Sequence, residues 1–341
     1  MLYCNPQHGL WVVRTGEWKR LVVQLASAHT FIYNAGMNKP TPLTKQNPTD
    51  VRTVAIVGRT QSDSSLDALK RVIHAVVDLG KAVIIEEETH THFQLSNYPR
   101  ASIKDIGQAA DVMISVGGDG TMLGNARQVA PYGLPIIGVN QGHLGFITDI
   151  ALADVESALR EILVDKHYAV ETRDLFIAQV VREGEVVFEG LALNDVVVAR
   201  RSVEGMLDLN VRVNEQFMYR QRADSLIIAT TTGSTAYSLA AGGPILHPQL
   251  AGITLVPVAP QSLSNRPIVL PNTCTIEIGI AGKREAAVHC DSQVFSYARQ
   301  GDQLRIALAP FSSIFWHPLS YNYFATLRQK LNWQLNPSRP L

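Results

Sequence analysis

The sequence predicts an α/β fold in two parts: a first domain built on a parallel sheet, then a largely antiparallel all-β domain. Three observations carry this. Between Thr53 and Val164, short apolar runs rich in β-branched residues alternate with stretches of helical spacing, the pattern of strands and crossover helices in a parallel sheet. Beyond about residue 170 the helical period is lost and strand-like runs meet at tight turns. One further helical stretch, Tyr321 to Trp333, closes the chain; a lone helix after a β domain needs a surface to cover and is free to return to the first domain. The expected boundaries are an irregular extension over 1–50, an α/β domain over 51–168, a β-rich domain over 169–316 and a C-terminal helical segment over 317–341.

Residues 1–50 show no sustained period, although Trp11 and Trp18 are present. Asn38 to Asp50 is rich in Pro, Thr, Asn and Lys and reads as a flexible lead-in, with Met37 as an alternative start; an additional structured element is the competing reading. Thr53 to Gly58 is a buried strand. Ser64 to Leu79 carries Leu66, Leu69, Val72, Ile73, Val76 and Val77 on one helical face, and Gly80 ends it as a C′ residue. Ala82 to Ile85 is the second strand, Ile103 to Ala110 the second helix, Val112 to Val116 the third strand. Met122 to Val129 is a helix, Leu134 to Val139 the fourth strand, and Leu152 to Val164 a last amphipathic helix. This is a Rossmann-like arrangement. In the second domain, hairpins are expected around Glu183-Gly184, Asn214-Glu215 and Ala281-Gly282-Lys283.

At 46% hydrophobic residues, 341 residues can bury two cores. Lys+Arg and Asp+Glu are both 30, so no global basic field argues for nucleic acid or an anionic membrane as partner. Cys4, Cys274 and Cys290 show no metal spacing, which suits a reducing, cytoplasmic compartment. No apolar run has the length of a membrane span, and Gln24 and Glu17 argue against a signal peptide around Leu21 to Ala28.

The most informative stretch is Gly117-Gly118-Asp119-Gly120-Thr121, between a predicted strand and a predicted helix. Its glycines let a ligand approach the backbone, and free N–H groups at a helix start favour a phosphate. Asp119 can take a proton from a hydroxyl or help hold Mg²⁺; a plain turn with a helix-capping Asp is the competing reading. Beyond the C-terminal strand ends, where ligands bind in such sheets, lies also Asn140 to Asp149. Its His143 reads as an ordinary loop histidine before a catalytic base. A second stretch, Thr230 to Ile245, carries hydroxyls at five of its first six positions, interrupted by Gly233. It offers small donors and acceptors, with Tyr237 available to lie against a flat base; a Ser/Thr-capped helix start is the alternative. Asn194-Asp195 and Asp224 are polar positions within or beside apolar strands, which is costly unless they face a ligand or partner.

Together these residues resemble a family. The Gly-Gly-Asp-Gly-Thr loop alone is shared by NAD kinases, diacylglycerol and sphingosine kinases, and looks similar in phosphofructokinases. Gly117 to Thr121, Asn140 to Asp149, Asn194-Asp195, Thr232 to Ile245 and Cys290-Asp291-Ser292-Gln293, in this order and spacing, resemble bacterial NAD kinases over roughly residues 51–335. The resemblance implies transfer of the γ-phosphoryl group of ATP to the adenosine 2′-hydroxyl of NAD, with Mg²⁺ or another divalent cation held mainly by substrate phosphates, and a homodimer or homotetramer. It implies that Gly117, Gly118, Gly120 and Thr121 hold phosphates, with Asp119 the proton acceptor. Asn194 and Asp195 would hold ribose hydroxyls. Arg222 and Asp224 would line the same site, Asp224 at the nicotinamide amide. Thr235, Ala236, Tyr237, Ser238, Leu239 and Ala240 would hold the adenosine half, and Gln293 would close the pocket. Two departures stand out: Asp195 where the family usually has Glu, and Thr231 where it usually has Pro. A lipid kinase would leave Asn194-Asp195 and Thr232 to Ile245 unexplained, and a non-catalytic NAD-binding regulator would not need Asp119.

Overall fold

The computed structural model describes residues 2–5, 10–13, 50–60, 65–142, 145–202 and 205–333. Contacts divide the chain into a unit over 1–40 and one over 41–341. In the first, Leu2–Asn5 pairs antiparallel with Leu10–Val13. Trp18, Met37 and the 38–49 lead-in lie outside the described residues.

The unit over 41–341 contains two sheets. The larger has twelve strands. Its parallel part is Ile136–Asn140, Val112–Val116, Thr53–Gly58, Ala82–Glu86 and the short Arg100–Ala101, hydrogen-bonded in that order. Val112–Val116 and Ile136–Asn140 are buried throughout, because helices cover both faces. Ser65–Asp78 and Val155–Leu163 pack on one face through Leu69, Val72, Ile73, Leu159 and Ile162. Asp119–Val129 packs on the other through Met122, Leu123, Ala126 and Val129. Ser115, the polar residue in the third strand, accepts a hydrogen bond from Asn125 Nδ2 at 2.9 Å. Gly80 adopts φ +72 after the first helix, as expected of a C′ glycine.

The two expected domains share this sheet. Tyr168–Arg182 and Gln303–Pro318 are long strands that pair with each other antiparallel, and Phe315 joins the parallel part beside Ile136. Beyond them the sheet continues through Ile276–Ile280, Leu207–Val213 and Gln216–Ala223. The hairpin turns at Glu183-Gly184 and Asn214-Glu215 form with positive φ at all four residues, the backbone that two-residue hairpins require; at Ala281-Gly282-Lys283 no hairpin forms, because Ile276–Ile280 and Ala286–Cys290 belong to different sheets. A second, six-stranded antiparallel sheet runs Ile268–Pro271, Gly252–Val258, Ser225–Ala229, Asp195–Arg200, Ala286–Cys290, Val294–Ala298. The sheets enclose a core that includes Phe176, Val196, Val198, Leu209, Ile228 and Ile278. The last helix is Tyr323–Lys330, capped by Asn322, whose Oδ1 accepts from Ala325 N. Among the described residues, no helix is long and apolar enough to cross a membrane.

Candidate active site

The third strand ends at Val116, and Gly117 N donates to Val139 O at 2.9 Å. A Cβ on Gly117 would lie 2.7 Å from Thr121 Oγ1, so only glycine lets the chain turn here. Gly118 is the N-cap of Asp119–Val129 and makes no side-chain cap bond. A Cβ on Gly118 or Gly120 would meet nothing within 4 Å. The first helical N–H groups therefore open onto accessible space, the geometry that binds anions at helix starts.

Asp119 does not cap its helix. Its carboxylate turns to the segment after the fourth strand. Oδ2 accepts from Phe146 N at 2.7 Å, and Oδ1 from Ile147 N and Thr148 N at 3.2 Å and Thr148 Oγ1 at 2.8 Å. The capping reading fails on this geometry. Oδ1 is saturated, whereas Oδ2 has one protein donor and keeps acceptor capacity. The approach requires Gly145, where a Cβ would overlap Asp119 Oδ1 and Thr148 Oγ1. His143 lies outside the described residues.

Asp119, Gly120, Leu123, Phe146 and Ile147 line one side of a cavity of about 260 Å³; Arg173, Asn194, Thr231, Thr232, Thr235, Ala236 and Tyr323 line the other. A second cavity of about 580 Å³ is lined by Gly118, Gly120, Thr121 and Gln293 together with Arg59, Thr60, Glu86 and Glu88. Gly120 lines both. One buried carboxylate ties the two. Asp291 accepts from Leu193 N, Asn194 N and Asp195 N at 2.7–3.1 Å and from Arg127 Nη1 at 2.9 Å. Arg127 also donates to Gln293 Oε1, and Gln293 Nε2 donates to Gly120 O, both at 2.9 Å. The turn that presents Asn194 is thus fixed to the helix that carries the glycine loop.

Family models match the same two segments: the ATP-NAD kinase N-terminal domain over residues 54–168 and the ATP-NAD kinase C-terminal domain over 193–317. The chain belongs to the ATP-NAD kinase family. It is 47% identical over 286 residues to the NAD kinase of Burkholderia ambifaria strain MC40-6, covering 84% of this chain and 95% of the relative. It is 47% identical over 290 residues to that of Cupriavidus pinatubonensis, covering 85% and 95%. Among solved structures, an NAD kinase from Archaeoglobus fulgidus in complex with ATP superposes with TM-score 0.64 at 27% identity, covering 82% of this chain and 98% of that one. Yeast NADH kinase complexed with NADH shares the fold, with TM-score 0.77 at 21% identity over 86% and 90% of the chains.

Of the residues the resemblance assigns to this NAD kinase family site, Asp119, Gly120, Asn194, Thr235 and Ala236 meet at the smaller cavity. Gln293 does not close it; held by Arg127 and Gly120, it lines the larger one. Asp195 begins a strand, is 3% exposed and lines neither cavity; its shorter carboxylate is buried near Asp291. Tyr237 is 45% exposed, because the four-residue helix Tyr237–Ala240 turns it outward rather than over the cavity. On the same turn Ser238 is buried, Leu239 half-buried and Ala240 exposed. Arg222 is exposed near Asp208, and Asp224 pairs with Arg200 at 3.3 Å. Asp224 precedes the strand Ser225–Ala229 and Thr230 follows it, so at about 3.3 Å per residue the two stand about 20 Å apart. Within one chain, Arg222 and Asp224 do not join Asp119. The hydroxyl loop is also more self-committed than its composition suggested. Ser234 Oγ donates to Thr231 O, Thr231 Oγ1 to Pro248 O and Thr235 Oγ1 to Thr232 O. A Cβ on Gly233 would overlap the Asn194 carbonyl, which explains that glycine.

Arg173, Phe146 and Tyr323 were not singled out by sequence. Arg173 and Tyr323 look like one residue among many in a strand and a helix; Phe146 lies in a noted loop, but only its backbone N–H marks it.

Burial raises the Asp195 carboxyl to about 7, with the neighbouring Asp291 adding to the effect, and burial raises Asp291 as well. Arg127 and three N–H groups favour charge on Asp291, so the proton retained by the pair sits on Asp195. The unfolded Asp195 ionises near pH 4, so between about pH 4 and 7 the folded chain holds a proton that the unfolded chain has lost. Stability from this group is complete below about pH 4 and falls as pH rises through 7, by up to about 1.4 kcal/mol per pH unit. Asp195→Asn should flatten that slope, read as denaturation midpoints at pH 5 and 7.5; an unchanged slope would place the titration elsewhere.

Proposed function

We propose that this enzyme transfers the γ-phosphoryl group of ATP to the 2′-hydroxyl of the adenosine ribose of NAD, giving NADP. One observation carries this reading: two cavities meet at Gly120, one walled by a carboxylate and small polar groups, the other by the open glycine face at a helix start. That suits an acceptor hydroxyl on one side and a phosphate chain on the other. Phosphoryl transfer asks little covalent chemistry of a protein; positioning and charge neutralisation dominate. Asp119 Oδ2 takes the hydroxyl proton, while Oδ1 stays locked to the Ile147–Thr148 backbone. Asn194 and the Thr232–Ala236 turn orient the adenosine half, and the loop amides face the ATP phosphates.

A divalent cation, Mg²⁺ in our reading, fits the donors present. It usually keeps several waters and binds through substrate phosphates plus one or two carboxylates, and the larger cavity that the glycine loop lines carries the Glu86 and Glu88 carboxylates, which leaves Asp119 Oδ2 to the hydroxyl proton. When bound, it neutralises charge on the β- and γ-phosphate oxygens. We read the enzyme as cytoplasmic and as a homodimer or homotetramer. A second copy is the route by which Arg222, Asp224 and the outward Tyr237 could face a dinucleotide held here, since their own chain turns them away.

The test is a phosphorylation assay with NAD, NADH and diacylglycerol side by side. Phosphate incorporation into the dinucleotides and none into the lipid is expected; incorporation into the lipid alone would overturn the reading.

A further inference from the structure

We propose that Arg173 is the fixed cation of the smaller cavity, contacting a phosphate of its ligand, and that His317 positions it through Glu171. The proposal rests on the reading that this cavity holds NAD. The phosphate is either the dinucleotide's own diphosphate or the phosphoryl group in transfer.

Arg173 lies on the long strand Tyr168–Arg182 and is 3% exposed, yet it lines the same cavity as Asp119 and Asn194. Nη2 donates to Glu171 Oε2 at 2.7 Å and Nη1 to Thr232 Oγ1 at 3.2 Å. Its Nε is buried without a hydrogen-bond partner. A guanidinium has five N–H donors, so most of its capacity is unspent. A buried cation with unmet donors is costly unless a ligand completes it. A planar fork inside a polar cavity suits phosphate oxygens.

Glu171 does not belong to Arg173 alone. His317 Nδ1 is hydrogen-bonded to Asp149 Oδ2 at 2.9 Å, and His317 Nε2 lies 3.3 Å from the same Glu171 Oε2, an ion-pair distance without hydrogen-bond geometry. Asp149 follows Thr148, whose N–H and hydroxyl both hold Asp119. One imidazole therefore stands between the segment that holds the candidate base and the carboxylate that holds the candidate cation. Its ring stacks on Tyr321 with centroids 4.2 Å apart and lies parallel to Phe315, which fixes its orientation. Burial pulls the His317 pKa down, but the Asp149 hydrogen bond and the negative charge of Asp149 and Glu171 outweigh it and raise the value. Burial likewise opposes ionisation of Glu171, yet His317 and Arg173 hold its carboxyl below the ordinary value. Both partners thus favour the charged forms that the geometry needs.

The test compares Arg173→Met, Arg173→Lys, the double variant Glu171→Gln/Arg173→Met and His317→Gln with the parent. Melting temperature, NAD and adenosine affinity by calorimetry, and steady-state kinetics are measured on each. Arg173→Met should lose roughly ten- to a hundred-fold, the range for a hydrogen bond to a charged group, with adenosine affinity within about threefold because adenosine carries no phosphate. If the diphosphate is the partner, NAD affinity and KM weaken with kcat held; if the phosphoryl group in transfer is, kcat falls with NAD affinity held. Either result supports the proposal. Arg173→Lys should recover part of the loss, and His317→Gln should show the same phosphate-selective loss in smaller degree. The double variant leaves no carboxylate without its cation and serves if the single Met variant misfolds. Equal weakening of NAD and adenosine, or a folded variant with neither NAD affinity nor kcat changed, would overturn it. A parent that binds no NAD at all would instead sink the reading of the cavity.

Discussion

Gly145→Ala should cost the enzyme about a hundred-fold or more in turnover, although it adds one methyl group. Gly145 is buried and its N–H donates to Thr148 O at 2.9 Å, so the backbone has no slack in which to hide a Cβ. The new carbon would overlap Asp119 Oδ1 and Thr148 Oγ1. One of them must leave, and either departure breaks the set of donors that aims the Asp119 carboxylate. A displacement of about 1 Å in a reacting group can cost roughly 10²-fold. Gly279→Ala is the matched control: a Cβ there meets only Asn210 atoms at 3.8 Å and beyond, ordinary contact, and turnover should hold. The measurement is kcat for both variants with melting temperature alongside. A Gly145→Ala enzyme of normal turnover would mean that the position of Asp119 does not matter to the reaction.

The parts of this molecule written locally were legible in its sequence. The buried strands at Val54, Val112 and Ile136, the apolar helix face of Leu69, Val72 and Ile73, and the hairpins at Glu183-Gly184 and Asn214-Glu215 each announce themselves within a dozen residues. The glycine loop did so too, because its glycines, its acid and its place after a strand are consecutive. What stayed hidden depends on distant pairing. Arg173 faces Ser313 and Glu171 faces Phe315 across paired strands, so His317 meets Glu171 only once that register exists. Asp119 depends on backbone N–H groups at Phe146, Ile147 and Thr148, and backbone donors leave no mark in composition. The continuous sheet was equally invisible: each long strand reads as an ordinary run, and only the junction of Phe315 with Ile136 joins the parallel and antiparallel parts. Within its own chain Tyr237 is turned outward by a short helix and Asp224 stands a strand length from Thr230, placements that no local motif records.

The central claim is that Asp119 takes the proton from the acceptor hydroxyl. Asp119→Asn removes the charge and the basic oxygen at nearly constant size. The replacement is not silent in the fold. If the amide oxygen keeps the Thr148 side of the donor set, the amide NH₂ faces the Phe146 N–H, and one unmade bond costs about 1–3 kcal/mol. Turnover alone would confound the two effects, so the deciding measurement is turnover number together with NAD affinity by calorimetry on one preparation of Asp119→Asn, with melting temperature recorded. Loss of a general base should lower turnover by roughly 10²–10⁴-fold, while NAD affinity stays within about tenfold and the protein remains folded. Turnover within a few-fold of the parent, with NAD still bound, would contradict the assignment.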